Sequence, residues 1–262
     1  MTEQLSAAQK EIARLKEQYN EDVKSTKFNI LLTSESGHGK TFLARTAPPL
    51  VHIDSFDPGG TKCLQNEIKK GKIIVDSSYE KEDPLRPSVY LKWKKEFQRR
   101  VSMGYFKEIE TYVLDSSTTW AEAIMNWVLA KDGVAGQAPR FTKDYTPQKV
   151  EIRNMLRLIL DLPCHVIVTG HLKLIEDEHT RKHKFRYFTT GQGAVTIPLL
   201  FDELWTLITK TTGDKTTYKL LLQANGAYLS RSRLAGDGLL DPVEEPDFSK
   251  LLEKVKKASS SK

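Results

Sequence analysis

With 39% hydrophobic and 28% charged residues in 262, the chain has the composition of a soluble globular protein, long enough for one domain with appendages. No apolar run approaches the ~20 residues of a membrane span, and the opening MTEQLSAAQKEIARLKEQ is charged from its third residue, so neither a membrane protein nor a secretory signal is expected and the cytoplasm is the expected location. The formal charge of +6 is mild, and Cys63 and Cys164, 101 positions apart, read as reduced thiols.

Residues 2–20 have a helical stripe, with Leu5, Ala8, Ile12, Leu15 and Tyr19 near one face. It needs a partner, either its own domain or a neighbouring subunit, and packing on its own domain is the expectation. Residues 24–27 read as a linker, so 1–27 form an N-terminal appendage. Phe28, Ile30, Leu31 and Leu32 then read as a buried strand. It runs into Ser34-Glu35-Ser36-Gly37-His38-Gly39-Lys40-Thr41, a phosphate-binding loop. Such a loop turns successive N–H groups toward the phosphates and needs glycine where the backbone is tight. Lys40 would reach the β- and γ-phosphates, Thr41 would place its hydroxyl on Mg²⁺, and the helix that follows aims its N-terminus at the same anion. The strict pattern opens with Gly, and Ser34 stands there instead.

Residues 50–54 form a second strand. The turn after it, Ser55-Phe56-Asp57-Pro58-Gly59-Gly60, puts carboxylates at its mouth. Residues 62–70 look helical and 72–76 form another strand, an order that favours parallel pairing. Residues 89–103 form a helix with Val89, Trp93, Phe97 and Val101 on its apolar side. The stretch from Lys62 to Lys107 holds twelve Lys/Arg against six Asp/Glu, the whole positive excess; this is either a nucleic-acid face or a solvated one. Residues 110–116 form an apolar strand ending in Asp115, an acid placed to hold the water shell of Mg²⁺ opposite Thr41. Helices are expected at 120–130 and 148–160, with a loop over 131–147. The strand 164–171 ends at the same sheet edge. His171 there is either a sensor of the γ-phosphate and the attacking water or a structural residue.

Residues 172–192 interleave Lys173, Arg181, Lys182, Lys184 and Arg186 with Phe185, Tyr187 and Phe188. Cations and ring faces suit single-stranded nucleic acid, and a β-hairpin with a half-buried aromatic face fits the same pattern. Residues 201–209 and 216–223 resemble a hairpin. Arg231 and Arg233 are either surface arginines or phosphate-charge stabilisers supplied across a subunit interface. Residues 241–249 are an acidic linker and 250–257 a short basic helix. The expected fold is therefore α/β, a mostly parallel sheet flanked by helices over 28–240. The N-terminal helix, a C-terminal β-hairpin and a separate tail over 241–262 complete it.

The stretches SGHGKTFLARTAPPLVHIDSFDPGG, YVLDSSTTW, LDLPCHVIVTGHLK, TTGQGAVTIPLLFDELWTL and the late Arg-Ser-Arg occur in a shared order. In that order the chain resembles the phage RecA-like P-loop ATPases, phage nucleotide-binding proteins that include the Sak-type ATPases of single-strand annealing recombination. The resemblance implies a RecA-like core, ATP held at Gly37 to Phe42, Mg²⁺ at Thr41 and Asp115, and a sensor at His171. It also implies a hydrolytic carboxylate after the second strand, for which Asp57 is preferred to Asp54. Loops placed like 172–192 contact DNA in RecA-like proteins, which points to Arg181, Lys182, Lys184, Phe185 and Arg186. A homo-oligomer working on single-stranded DNA, with a single-strand-binding or annealing protein as partner, is the implied setting. The alternative is a nucleotide-dependent assembly module that does not hydrolyse ATP.

Overall fold

The apolar runs become strands because their side chains alternate between two cores. The computed structural model describes residues 6–21, 27–176, 181, 183–189 and 193–260. Its strands are β1 (Asn29–Ser34), β2 (Val51–Ser55), β3 (Ile73–Asp76), β4 (Thr111–Asp115), β5 (His165–Glu176), β6 (His183–Tyr187), β7 (Glu203–Thr212), β8 (Lys215–Leu221) and β9 (Val243–Glu244). They form one sheet in the order β3-β2-β4-β5-β1-β7-β8-β9, with β6 on β5. Pairs from β3 to β7 are parallel; β7–β8, β8–β9 and β5–β6 are antiparallel.

Period-two alternation sorts the side chains. Leu31, Tyr112, Leu114, Val166 and Val168 face one core, and Ile30, Leu32, Val113 and Ile167 face the other. The first core is closed by α4 (Val89–Ser102), α5 (Ser117–Lys131) and α6 (Phe141–Leu160) through Trp93, Phe97, Trp120, Ile124, Ile152 and Leu156. The second takes Leu43 from the short α2 (Lys40–Leu43), Leu64 from the 3₁₀ turn before α3 (Gln65–Lys69), and Phe248, Leu251 and Leu252. Burial on both faces explains the near-continuous apolar reading of the central strands. Two further short helices are α7 (Gly193–Thr196) and α8 (Arg233–Gly236).

Three elements differ from the sequence reading. Helix α6 starts at Phe141 and carries Pro147 inside it. Its first turn is fixed by Asp144, which accepts from Arg140 N at 2.6 Å and from Arg140 Nη2 at 2.7 Å. The C-terminal helix, α9 (Phe248–Ser260), packs into the second core: Phe248 is fully buried against Trp205, and Ser249 Oγ donates to Thr46 O at 2.7 Å. The N-terminal helix, α1 (Ala7–Glu21), exposes every described side chain from 7 to 18, Ile12 at 54% and Leu15 at 50% among them. Its stripe is therefore not buried on its own domain.

Beneath β2 lies a polar knot. Asp54 is fully buried and accepts from Trp93 Nε1 at 2.9 Å, Tyr112 OH at 2.8 Å and Arg100 Nη1 at 2.9 Å. Arg100 also donates to Asp76 Oδ2 at 2.5 Å. Burial alone would raise the Asp76 carboxyl, but donors on Ser78, Arg100 and Tyr79 outweigh it and hold it at about 2. That stabilisation is present above the ordinary value of 3.8 and is lost as pH falls toward 2. Arg100→Met strips Asp54 of its cation and should destabilise the fold by about 3 kcal/mol in urea unfolding at pH 7; an unchanged midpoint would show that the other donors suffice.

Candidate functional site

β1 ends at Ser34, and the chain turns through 35–39 before α2 begins at Lys40. Gly37 and Gly39 have φ of +78° and +86°, conformations that side chains rarely adopt, so glycine is needed at both. Ser34 is different. It is still in the strand, in register with His171, and Arg181 is the one positive-φ non-glycine among the described residues. Serine there costs the backbone nothing, and its hydroxyl has a use. Ser34 Oγ donates to Glu35 O at 2.8 Å and accepts from Lys40 Nζ at 3.1 Å. Lys40 Nζ also donates to Glu35 O at 3.2 Å. Lys40 is buried, which lowers its pKa, while Asp115 and Asp57 pull it back up.

The loops after β2 and β4, and β5 at Thr169 and His171, reach the same edge. Asp115, at the end of β4, is buried and accepts from Thr41 Oγ1 and from Thr169 Oγ1, each at 2.6 Å. Burial raises its pKa against those two hydroxyls, which lower it. A buried carboxylate beside a threonine hydroxyl is a hard-oxygen donor set, and it fits Mg²⁺ shared with phosphate oxygens. Asp57 accepts from Ser116 Oγ at 2.9 Å and from Thr119 Oγ1. Its turn is pinned by Glu80, which accepts from Ser55 Oγ at 2.8 Å and Gly59 N at 3.0 Å. A Cβ on Gly60 would come within 3.4 Å of Asp57 Cβ and 3.9 Å of Asp115 Oδ2, so glycine keeps the space between the carboxylates open. His171 Nδ1 lies 3.2 Å from Thr118 Oγ1. Burial, then repulsion by Lys40, lowers the His171 pKa below 6.5.

These groups line one cleft of about 490 Å³, which takes in Ser36, Gly37, Gly39, Phe42 and the side chains of Lys40, Thr41, Asp57, Asp115 and His171. Other expected residues lie around it. Glu35 accepts from Tyr228 OH at 3.4 Å, and His38 Nε2 is 3.4 Å from Thr209 Oγ1. Asp54 belongs to the knot under β2 and not to the cleft. Arg231 Nη2 donates to Phe201 O at 2.7 Å and more weakly to Pro198 O, so it is tied to its own chain. Arg233 is exposed, its N–H on Glu203. The residues the sequence reading missed are Thr169, Ser116, Thr118, Thr119 and Glu80. The run of hydroxyls after Asp115 was a visible signal; Glu80 lay in an unremarkable polar loop.

The basic segment is a hairpin. Cross-strand register pairs Lys173 with Arg186 and Ile175 with Lys184, and pairs Leu174 with Phe185 and Leu172 with Tyr187. Directly opposed residues share a face, so the cations gather on one side and the rings on the other. Phe185 stacks on Tyr228 with centroids 4.6 Å apart, so one face of its ring is already covered. Arg181 is exposed, and Lys182 lies outside the described residues.

A glycine loop feeding a lysine and threonine, a buried acid on a parallel strand beside it, and a mostly α/β sheet define a P-loop NTPase domain of the RecA-like type. Residues 26–234 match the AAA domain family, and the chain belongs to that family. No curated protein matches the chain. Among solved structures it is similar to the KaiC-like protein PH0186 of Pyrococcus horikoshii OT3, at 14% identity over 76% of this chain and 80% of that one, with a TM-score of 0.42. It is also similar to the flagellar accessory protein FlaH of Methanocaldococcus jannaschii, at 13% identity over 82% and 88% with a TM-score of 0.39. No described helix is long and apolar enough to cross a membrane.

The His171 shift gives a direct test of the electrostatics. Its imidazole should titrate below 6.5 by NMR, and Lys40→Met should move the midpoint upward, because Lys40 is one of the charges lowering it. A wild-type midpoint at or above 6.5 would mean that the ring is more solvated than its packing indicates.

Proposed function

We propose that the chain binds ATP with Mg²⁺ and hydrolyses it, and that this serves single-stranded DNA transactions in recombination, annealing or repair. The Sak-type phage ATPases it resembles in sequence have that setting. The observation that carries the nucleotide reading is the convergence of Lys40, Thr41, Asp57, Asp115 and His171 on one cleft. Lys40 would exchange its resting oxygens on Ser34 and Glu35 for the β- and γ-phosphates. Thr41 and Asp115 would hold Mg²⁺, which when bound supplies charge neutralisation for the phosphate chain. Asp57, fixed by Ser116 and Thr119, would orient the attacking water and take its proton. His171, held neutral, would donate a hydrogen bond on the γ-phosphate side. Arg233 is free of the main-chain ties that hold Arg231, and so suits a charge stabiliser offered to a neighbouring subunit better.

The DNA side of the proposal is supported by the hairpin face bearing Lys173, Lys184 and Arg186. Its contact would be with phosphates first, because the ring of Phe185 is engaged elsewhere. Phosphate release by the purified protein, with and without single-stranded DNA at fixed salt, tests both halves. DNA should stimulate turnover, Lys40→Ala should abolish nucleotide binding, and reversing Lys173 and Arg186 to Glu should weaken DNA affinity and flatten its salt dependence. ATP binding with no turnover, indifferent to DNA, would instead mark a nucleotide-gated assembly module.

Self-association belongs to the same proposal. Ala8, Ile12, Leu15 and Tyr19 fit the a and d positions of a heptad, and Ile12 and Leu15 are exposed. The same register places Glu11 at g and Lys16 at e, opposite charges that meet across a parallel pair of α1 helices. Sedimentation should show an oligomer that Ile12→Asp with Leu15→Asp reduces in size; a wild-type monomer at tens of micromolar would remove α1 from the assembly.

A further inference from the structure

The run from Ser116 to Thr119, where α5 begins, serves two sides of the cleft at once. Ser116 and Thr119 both donate to Asp57 Oδ1. Ser117 and Thr118 turn instead to β5. Ser117 Oγ donates to Thr169 O at 2.6 Å and meets Tyr187 OH at 2.7 Å. A Cβ on Gly170 would come within 2.4 Å of Tyr187 Cε2 and 3.2 Å of Ser117 Oγ, so glycine at 170 is what lets helix, strand and hairpin approach this closely. Thr118 is thereby set beside His171, and two nitrogens of that one residue reach its hydroxyl oxygen. His171 N donates to Thr118 Oγ1 at 3.3 Å, and His171 Nδ1 lies 3.2 Å from the same oxygen.

A threonine hydroxyl has one hydrogen to give and lone pairs to receive. The main-chain N–H of His171 takes Oγ1 as its acceptor, and the one acceptor that the described residues offer to the hydroxyl hydrogen is Nδ1 of the same histidine. With the ring proton on Nδ1, that hydrogen would lose its protein partner, and Oγ1 would have to receive two donors from one residue. The hydroxyl that donates to Nδ1 requires Nδ1 bare. Burial and Lys40 lower the His171 pKa below 6.5 against the pull of Asp57 and Asp115, so the ring is neutral near pH 8, and a neutral imidazole with Nδ1 bare carries its proton on Nε2. Nε2 has no hydrogen-bond partner among the described residues, and the ring lines the cleft with Lys40 and Asp57. Its N–H is the donor that the ring brings there.

We propose that Thr118 is a positioning residue whose hydroxyl fixes His171 as the Nε2–H tautomer, so that the ring meets the γ-phosphate with a donor and not with a lone pair. The proposal rests on the nucleotide reading above and adds to it how the site tells a triphosphate from a diphosphate. In the other tautomer Nε2 and the phosphate oxygens would both be acceptors, and the contact would not form. Because Ser116, Thr118 and Thr119 share one turn, the same piece of backbone orients Asp57 and His171 and holds the two at a fixed relation across the cleft.

Two measurements on the full chain test it. Nitrogen NMR of histidine-labelled protein without nucleotide, near pH 8, reads the tautomer directly, with the His171 signals assigned by their loss in His171→Asn. The wild type should show Nε2 protonated and Nδ1 bare. Thr118→Val keeps the shape without the hydroxyl and should move the Nδ1 signal and mix the tautomers, and Thr118→Ser should restore the wild-type pattern. Calorimetric titration with ATP and with ADP, each with Mg²⁺, reads the consequence. The ratio of ATP to ADP affinity should fall about tenfold in Thr118→Val, the scale of a hydrogen bond to a charged group, and recover in Thr118→Ser. ADP affinity itself should change little, whereas a merely destabilised variant would lose both nucleotides alike. A wild-type proton on Nδ1, or an unchanged ratio in Thr118→Val, overturns the role of Thr118 and leaves the nucleotide reading standing. The wild-type spectrum decides the tautomer even if Thr118→Val fails to fold, and Thr118→Ala gives a second chance at the ratio. A wild type with Nε2 protonated that binds neither nucleotide overturns the nucleotide reading, and with it the γ-phosphate as the target of the ring.

Discussion

The buried carboxylate of Asp115 is the constraint on which the cleft depends. A charge taken out of water is costly unless donors surround it. Here the donors come from two other elements, Thr41 on α2 and Thr169 on β5, both at 2.6 Å. One acid therefore locks the start of the phosphate-loop helix and the middle of the neighbouring strand to the end of β4. Lys40, also buried, is the countercharge, and each group's burial works against its own ionisation. The pair is arranged for partners that bring opposite charges together, an anion for the lysine and a cation for the acid. Both charges would be better satisfied with a metal-bound polyphosphate in place than without one.

The strand order explains why three loops and the body of β5 reach this point. β4 and β5 lie between β2 and β1, so the chain must cross back over the sheet after β3. Because those strands are parallel, each of their C-terminal ends lies on one edge. The same geometry divides Asp54 from Asp57. Asp54 is still inside β2, on the face that meets Trp93 and Arg100, whereas Asp57 lies past the strand end in a turn held by Glu80. Three residues of separation change the role from a structural anion to one that faces the cleft.

What was legible in the sequence was what is local. The phosphate loop, the strand ending in Asp115 and the parallel α/β order all follow from short-range pattern, since glycine placement and apolar runs are decided within a few residues. Thr169 was not legible, because nothing near it in the chain says that its hydroxyl will meet Asp115 across two strands. Serine at position 34 looked like a weakened loop in the pattern and is an ordinary strand residue in the fold. The start of α6 was hidden because Pro147 reads as a breaker, although the Arg140–Asp144 contact that fixes the first turn is local, four residues apart. The C-terminal helix was short and basic in outline, and its burial rests on Phe248, Leu251 and Leu252, with Phe248 reaching Trp205 and Phe28.

The hairpin of β5 and β6 shows how a mixed sequence signal is resolved by register. Cations and aromatics alternate along β6, and alternation in a strand means opposite faces. The rings are thus turned toward the loop that carries Tyr228, and the cations away from it. The contact is continuous into the cleft: Phe185 N donates to Ala227 O at 2.8 Å, its ring stacks on Tyr228, and Tyr228 OH reaches Glu35 in the phosphate loop at 3.4 Å. β5 itself carries His171 and, further along the same strand, the root of the hairpin at Leu172. The basic face is thus joined to the phosphate loop by two chains of contact, one through the strand and one through the stacked rings. Contact alone does not establish coupling, which requires an element with two arrangements that both sites bias. The Tyr228–Glu35 hydrogen bond, at 3.4 Å, is the weakest link of the ring route, whereas β5 is paired with β4 over 165–168 and with β1 over 166–171.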